Sequence, residues 1–354
     1  MQKIIHSREY KSVHPIFDEF EQFYSATSCD SLQTSNSLIP ITFDRAFESL
    51  QGIFNKWGNQ NYQFNFIDRQ YEKINFPKCE SKTVVLAFSG GKDSLAATLK
   101  YMECGYKIYL YHLRGLKATT YPDEWKSAQE LAQKLNLPLI IEDIKFSGKL
   151  EFPEHPLKNI IIANNMLQWC IRNGIGAEIA FGNYESTYLD STAFYYAGDD
   201  CIDMYDAYEN IMSEVMPDLI VGIALDNLND TLETIAKHKE YLPFCQSCLG
   251  AHRFREYNRK HVLDKYGVQL MPHRCGVCWK CALEYIYMAD HNVLEYNEEY
   301  YKHCLDVLKK ANKRENKIEF TTIENLWDIY FSYDIKQSKY ADILNYGKRK
   351  KKVK

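Results

Sequence analysis

The sequence predicts an α/β fold, a parallel sheet with helices on both faces. Three observations predict it. Apolar runs of strand length alternate with amphipathic helical stretches between Thr83 and Gly182. A Gly-Gly turn separates the first run from the first helix without any intervening loop. Polar and charged residues gather just past the ends of the apolar runs, where open α/β sheets bind their ligands.

The first strand is Val84-Val-Leu-Ala-Phe88, and Ser89-Gly90-Gly91-Lys92-Asp93-Ser94 breaks it. Leu95, Leu99 and Met102 then recur at helical spacing until Gly105 offers a stop. Glycine lets a backbone approach a phosphate closely, and the first turn of the helix points free N–H groups at the same space. Ser89 and Ser94 add hydroxyls, Lys92 adds a positive charge, and Asp93 is placed to hold a magnesium ion. An ordinary capped turn would need none of this combination. The spacing is not that of a Walker A loop.

Lys107–Leu113 reads as a second strand, and Pro122 opens a helix that buries Trp125, Ala128, Leu131 and Leu135. Asn136 ends that helix before a third strand, 137–144. Residues 159–170 are helical, and Ala177–Gly182 is a fourth strand. Residues just past the strands are site candidates: His112, Arg114, Asp143, Lys145, Asn183 and Glu185. Lys158 sits in a Pro-containing turn, where it is either an exposed lysine or a neutraliser of phosphate charge. Asp199, Asp200 and Asp203 are either solvated or part of a binding stretch, and Cys201 beside them is either a small buried apolar residue or part of it.

Ahead of the sheet, residues 1–80 read as a mixed extension. It has helices over 16–24 and 44–57, a loop over 25–36 and a strand-like alternation over 59–75, with no motif that carries chemistry. The ATP-binding unit is expected over 81–240 and a Cys-rich module over 241–290. A helical tail with the basic end Lys348-Arg-Lys-Lys-Lys352 is expected over 291–354.

The chain has 11 cysteines, and Cys245, Cys248, Cys275, Cys278 and Cys281 fall together. Cys-x-x-Cys spacing brings two thiolates to one ion, and zinc takes four ligands. The triplet Cys275, Cys278 and Cys281 supplies three, and Cys248 or Cys245 the fourth. An iron–sulfur cluster is the rival occupant. Between the cysteines, Arg253, Arg255, Arg259, Lys260, His261 and Lys265 make a basic stretch, read as a solvated helix face or a surface for an anionic partner.

With a net charge of −4, no secretory leader and no apolar run near the roughly 20 residues of a membrane span, a soluble cytoplasmic protein is expected. Clustered cysteines in such a chain point to metal and not to disulfides.

The Ser89–Ser94 loop resembles the PP-loop of ATP pyrophosphatases. Together with Cys275-Gly-Val-Cys278-Trp-Lys-Cys281 it resembles the 7-cyano-7-deazaguanine synthase (QueC-type) family over roughly residues 82–290. Pro156-Leu-Lys-Asn159 is similar to a family Pro-Gly-Arg-Asn segment, and Gly182–Glu185 with Asp200-Cys201 to its substrate side. The long insertion between Cys248 and Cys275 and the two extensions depart from the compact enzymes. They resemble diverged members found in bacterial anti-phage operons.

The resemblance implies a Rossmann-like (adenine nucleotide alpha hydrolase-like) sheet, an ATP-dependent ligase, and ATP, Mg²⁺ and Zn²⁺ as cofactors. It implies Lys92, Asp93 and Lys158 as catalytic residues, and nucleotide binding by Ser89–Ser94 with His112. Lys158, Asn159, Asn183, Glu185 and Asp200 would bind a deazapurine carboxylate. The acyl acceptor is ammonia or a partner protein. A tRNA-modifying thiolation enzyme and a non-catalytic nucleotide-binding partner are the alternatives, and a homodimer is the assembly to test.

Overall fold

The computed structural model describes residues 4–6, 12–27, 39–58, 61–79, 82–115, 124–146, 158–184, 202–225, 228–246 and 252–315. The candidates Glu185, Asp199, Asp200, Cys201 and Cys248 and the basic end lie outside these residues, as do the expected helix start at Pro122 and most of the 25–36 loop. Eight strands are described. They are β1 (Ile4–His6), β2 (Ile39–Asp44), β3 (Phe64–Ile67), β4 (Thr83–Ala87), β5 (Lys107–Arg114), β6 (Leu139–Phe146), β7 (Glu178–Tyr184) and β8 (Val221–Leu225). The helices are α1 (Pro15–Thr27), α2 (Phe47–Gly58), α3 (Lys92–Glu103), α4 (Glu124–Leu135), α5 (Lys158–Asn173), α6 (Ile202–Ser213), α7 (Leu228–Lys237), α8 (His252–Tyr266), α9 (Trp279–Asp290) and α10 (Glu298–Glu315).

The main sheet runs β1-β6-β5-β4-β7-β8. Its five strands from β4 to β8 pair in parallel, and β1 joins the β6 edge antiparallel. Four of the parallel strands match the expectation from sequence, whereas β1, β2, β8, α6 and α7 do not follow from it. From central β4 the chain winds outward through β5 and β6, then crosses back to β7 and β8. The strand order therefore reverses between β4 and β7. Such a reversal opens a crevice at the carboxyl ends of the two strands, since α3 follows β4 on one face and α6 follows β7 on the other.

Period-two alternation divides the core. Val84 and Leu86 face the side covered by α3, α4, α7 and α9, while Val85 and Tyr111 face the side covered by α5 and α6. The N-terminal segment packs on that second side. Phe17, Phe20, Phe23, Phe43 and Phe47 form an aromatic cluster continuous with α5 and α6, and the Phe20 ring lies 5.0 Å from that of Tyr208. Pro15 starts α1, where its missing N–H costs nothing.

Within the helical tail expected over 291–354, α10 runs from Glu298 to Glu315 and packs on α9, which starts at Trp279 inside the expected Cys-rich module. Asn292 at φ 57° sits in the break between them. No helix among the described residues is long and apolar enough to cross a membrane.

Candidate functional site

Central strand β4 is buried along almost its whole length and delivers Ser89–Ser94 to the crevice. Phe88 donates its N–H to the Tyr111 carbonyl at 2.7 Å, which extends the pairing by one residue. The Phe88 carbonyl meets Nδ1 of buried His112 on β5, also at 2.7 Å. His112 thus props the base of the loop from the neighbouring strand.

Gly90 then turns the chain at φ 74°, a conformation that side chains with a Cβ rarely adopt. A Cβ there would lie 2.6 Å from the backbone nitrogen of Ala128 on α4. Gly91 caps α3 without a side-chain hydrogen bond, so the first N–H groups of α3 are not capped by that residue. Ser94 Oγ donates to the Gly91 carbonyl at 3.1 Å and lies 3.3 Å from Ser89 Oγ. The Gly91 N–H reaches Ser89 Oγ at 3.2 Å. Lys92 is buried, and its Nζ pairs with Asp93 Oδ1 at 2.7 Å. The loop holds its own cation and carboxylate together beside the helix terminus.

Across the crevice, Gly182 of β7 touches the first turn of α3. A Cβ at Gly182 would lie 2.7 Å from the Asp93 carbonyl oxygen, so only glycine permits this approach. The next residue, Asn183, donates Nδ2–H to the Tyr205 hydroxyl at 2.7 Å. Asn159, in the first turn of α5, donates to the same oxygen at 2.8 Å. Two predicted residues from separate elements therefore meet on Tyr205 of α6, whose ring lies 5.0 Å from that of Phe181. Tyr205 was not predicted. Its signal was the helical recurrence of Met204, Tyr205, Tyr208, Ile211 and Met212, which marks a buried face and says nothing about a hydroxyl. Lys158 opens α5 beside Asn159.

Arg114 and Asp143 stand opposite each other in the β5–β6 register and form an ion pair, and the guanidinium lies 5.2 Å from the Trp125 ring. They serve each other. Lys145 lies in β6, opposite Ile5 of β1.

On the α3 side, Cys275, Cys278 and Cys281 bring their sulfurs within 4.8 Å of one another. The Cys275 and Cys281 sulfurs are 3.8 Å apart. Two thiolates on one tetrahedral zinc at about 2.3 Å stand about 3.8 Å apart, so the donor set fits such an ion. The Val277 N–H donates to Cys275 Sγ at 3.5 Å, and Cys278 caps the N-terminus of α9, where the helix dipole favours a thiolate. The Gly276 carbonyl at the turn accepts from buried Tyr300 of α10 at 3.0 Å.

Cys245 does not belong to this group. Burial pushes its thiol up to about 12, against the lowering influence of Arg274. It packs in the core on the α3 side. Of the two cysteines weighed for the fourth ligand, Cys248 is the one that this geometry leaves open.

No protein-family model matches the chain, and no curated protein matches it. The class defined by fold and site is therefore coarse: an α/β protein with a parallel five-stranded sheet and a cysteine triplet able to hold a metal such as zinc.

Proposed function

We propose that the protein is an ATP-dependent ligase of the Rossmann-like PP-loop type that adenylates a 7-deazaguanine carboxylate. One observation carries the reading. Ser89–Ser94 occupies the carboxyl end of the central strand at the point where strand order reverses, with a glycine turn, helix N–H groups and a buried lysine converging there.

In the proposed reaction a carboxylate oxygen attacks the α-phosphorus of ATP. The bond from that phosphorus to the bridging oxygen breaks, and pyrophosphate leaves. The loop amides and Lys92 would stabilise charge growing on the phosphate oxygens. Asp93 would hold Mg²⁺, which supplies further charge neutralisation. Lys158 would serve the same phosphates from α5. The acyl adenylate then accepts a nitrogen nucleophile and expels AMP. Ammonia gives an amide, and a second activation of the amide oxygen followed by loss of AMP gives the nitrile, 7-cyano-7-deazaguanine. A protein amine gives a conjugate in place of the free base.

Asn159, Asn183 and Tyr205 are the proposed wall for the deazapurine, because they lie across the crevice from the loop. Zinc at Cys275, Cys278, Cys281 and Cys248 would be structural.

The test incubates the protein with ATP, Mg²⁺ and 7-carboxy-7-deazaguanine, with ammonia or with products of neighbouring genes. Mass spectrometry then follows AMP, the nitrile and any protein mass increase. The reading expects AMP only when the carboxylate is present. Absence of AMP under every condition overturns it.

A further inference from the structure

The loop and the cysteine triplet are distant in sequence, yet a short chain of contacts joins them. Gln246 pairs with Gly91 as an isolated parallel bridge, and its N–H donates to the Gly90 carbonyl at 2.8 Å. Its side-chain Oε1 accepts from Ser127 Oγ at 3.1 Å. Gln246 therefore clamps the loop from outside the sheet. The carbonyl of the preceding residue, Cys245, accepts a hydrogen bond from Arg274 Nη1.

Arg274 immediately precedes the first thiol of the triplet. Its Nε donates to Glu284 Oε1 at 2.6 Å, and Glu284 lies one turn beyond the last thiol, Cys281. The ion pair brackets the triplet at both ends. Both side chains are only 5% exposed. Such a buried pair keeps its geometry only while both partners stay in place, since losing one leaves a charge uncompensated. The third guanidinium nitrogen, Nη2, is buried without a hydrogen-bond partner among the described residues. Glu284 already balances the guanidinium charge, and an anionic metal–thiolate centre nearby would give this remaining donor an electrostatic partner.

We propose that metal binding at the thiols sets the shape of the Ser89–Ser94 loop through Arg274, the Cys245 carbonyl and Gln246. Metal and nucleotide then bind cooperatively. Arg274 and Gln246 are positioning residues in this scheme and touch neither ligand. The scheme rests on the nucleotide and zinc readings above, and it adds an energetic link between the two sites. Linkage is reciprocal: whatever factor zinc adds to nucleotide affinity, nucleotide adds to zinc affinity.

The experiment uses the full-length, zinc-loaded protein. A chromophoric chelator withdraws zinc, with and without saturating Mg²⁺ and a non-hydrolysable ATP analogue, and analogue occupancy is measured in the same samples. Bound analogue is expected to slow zinc release by about fivefold or more in the wild type, the lower range of measured affinity couplings, carried in the off-rate as most affinity differences are. Gln246→Ala keeps the N–H bonded to Gly90 and should behave like the wild type. Gln246→Pro removes that donor and should reduce the slowing to less than about twofold. Cys245 already has φ −82° and ψ 125°, which suits a following proline.

Zinc release that ignores bound analogue in the wild type overturns the coupling and leaves the ligase reading standing. Equal slowing in Gln246→Pro at full occupancy does the same, because it shows protection by general stabilisation. Failure of the wild type to bind the analogue at all overturns both.

Discussion

Single residues in the loop are held by constraints that predict separable losses. Gly90 combines φ 74° with a backbone neighbour 2.6 Å from any added Cβ. Gly90→Ala meets both obstacles, and the obstructing atom is the α4 main chain, which cannot swing aside. The left-handed conformation alone costs about 1–2 kcal/mol. Urea denaturation should therefore show a loss of at least about 2 kcal/mol, with weakened ATP binding. Asp93 differs. Its carboxylate is over a third exposed, while the lysine it pairs with is buried. Asp93→Ala should lower the thermal midpoint only modestly, through the lost pairing of Lys92, while lowering kcat/KM for AMP formation by about 100-fold or more, the scale of losing one preorganised electrostatic group. A large fall in the midpoint with activity retained would contradict the assignment.

At the scale of elements, the crevice depends on three segments arriving at one oxygen. β7 contributes Asn183, α5 contributes Asn159 and α6 contributes Tyr205. Tyr205→Phe keeps the ring against Phe181 and removes the acceptor shared by two amides. Each hydrogen bond lost in this way costs about 0.5–1.5 kcal/mol. If the cluster walls the deazapurine, KM for the carboxylate should rise more than KM for ATP in steady-state assays. A purely structural cluster would change both alike or neither. This cluster also marks what the sequence made legible. Strand, turn and helix around Ser89–Ser94 were readable because each uses local chemistry: a β-branched run, glycines and a helical period. β8 was missed because Gly222 interrupts Leu219–Leu225 and reads as a breaker. That apolar run, bounded by Pro217-Asp218 and Asp226-Asn227, was nonetheless signal enough to find it. Gln246 was invisible for a deeper reason, since its bond to Gly90 uses the main chain, which every residue type shares.

Across the whole molecule, the cysteine triplet and its helices close one face of the sheet as the aromatic N-terminal segment closes the other. Leu270, Val262, Tyr300 and α9 belong to the same apolar cluster as α3 and β4. The knuckle is therefore joined to the main core, and metal loss should be felt well beyond the knuckle itself. Thiolates must be deprotonated to bind, and three sulfurs held this close repel one another once charged. An ion bound there would offset that repulsion, and its binding energy would become folding energy. Cys278→Ser leaves two of the described thiols and the helix cap in place. It should lower zinc content, read by elemental analysis, to less than about half of the wild-type stoichiometry. The thermal midpoint should fall to that of wild-type protein treated with a chelator. The two samples must converge if the thiol acts only through the metal. A midpoint for Cys278→Ser equal to that of untreated protein would mean that the triplet is an ordinary buried corner of the core.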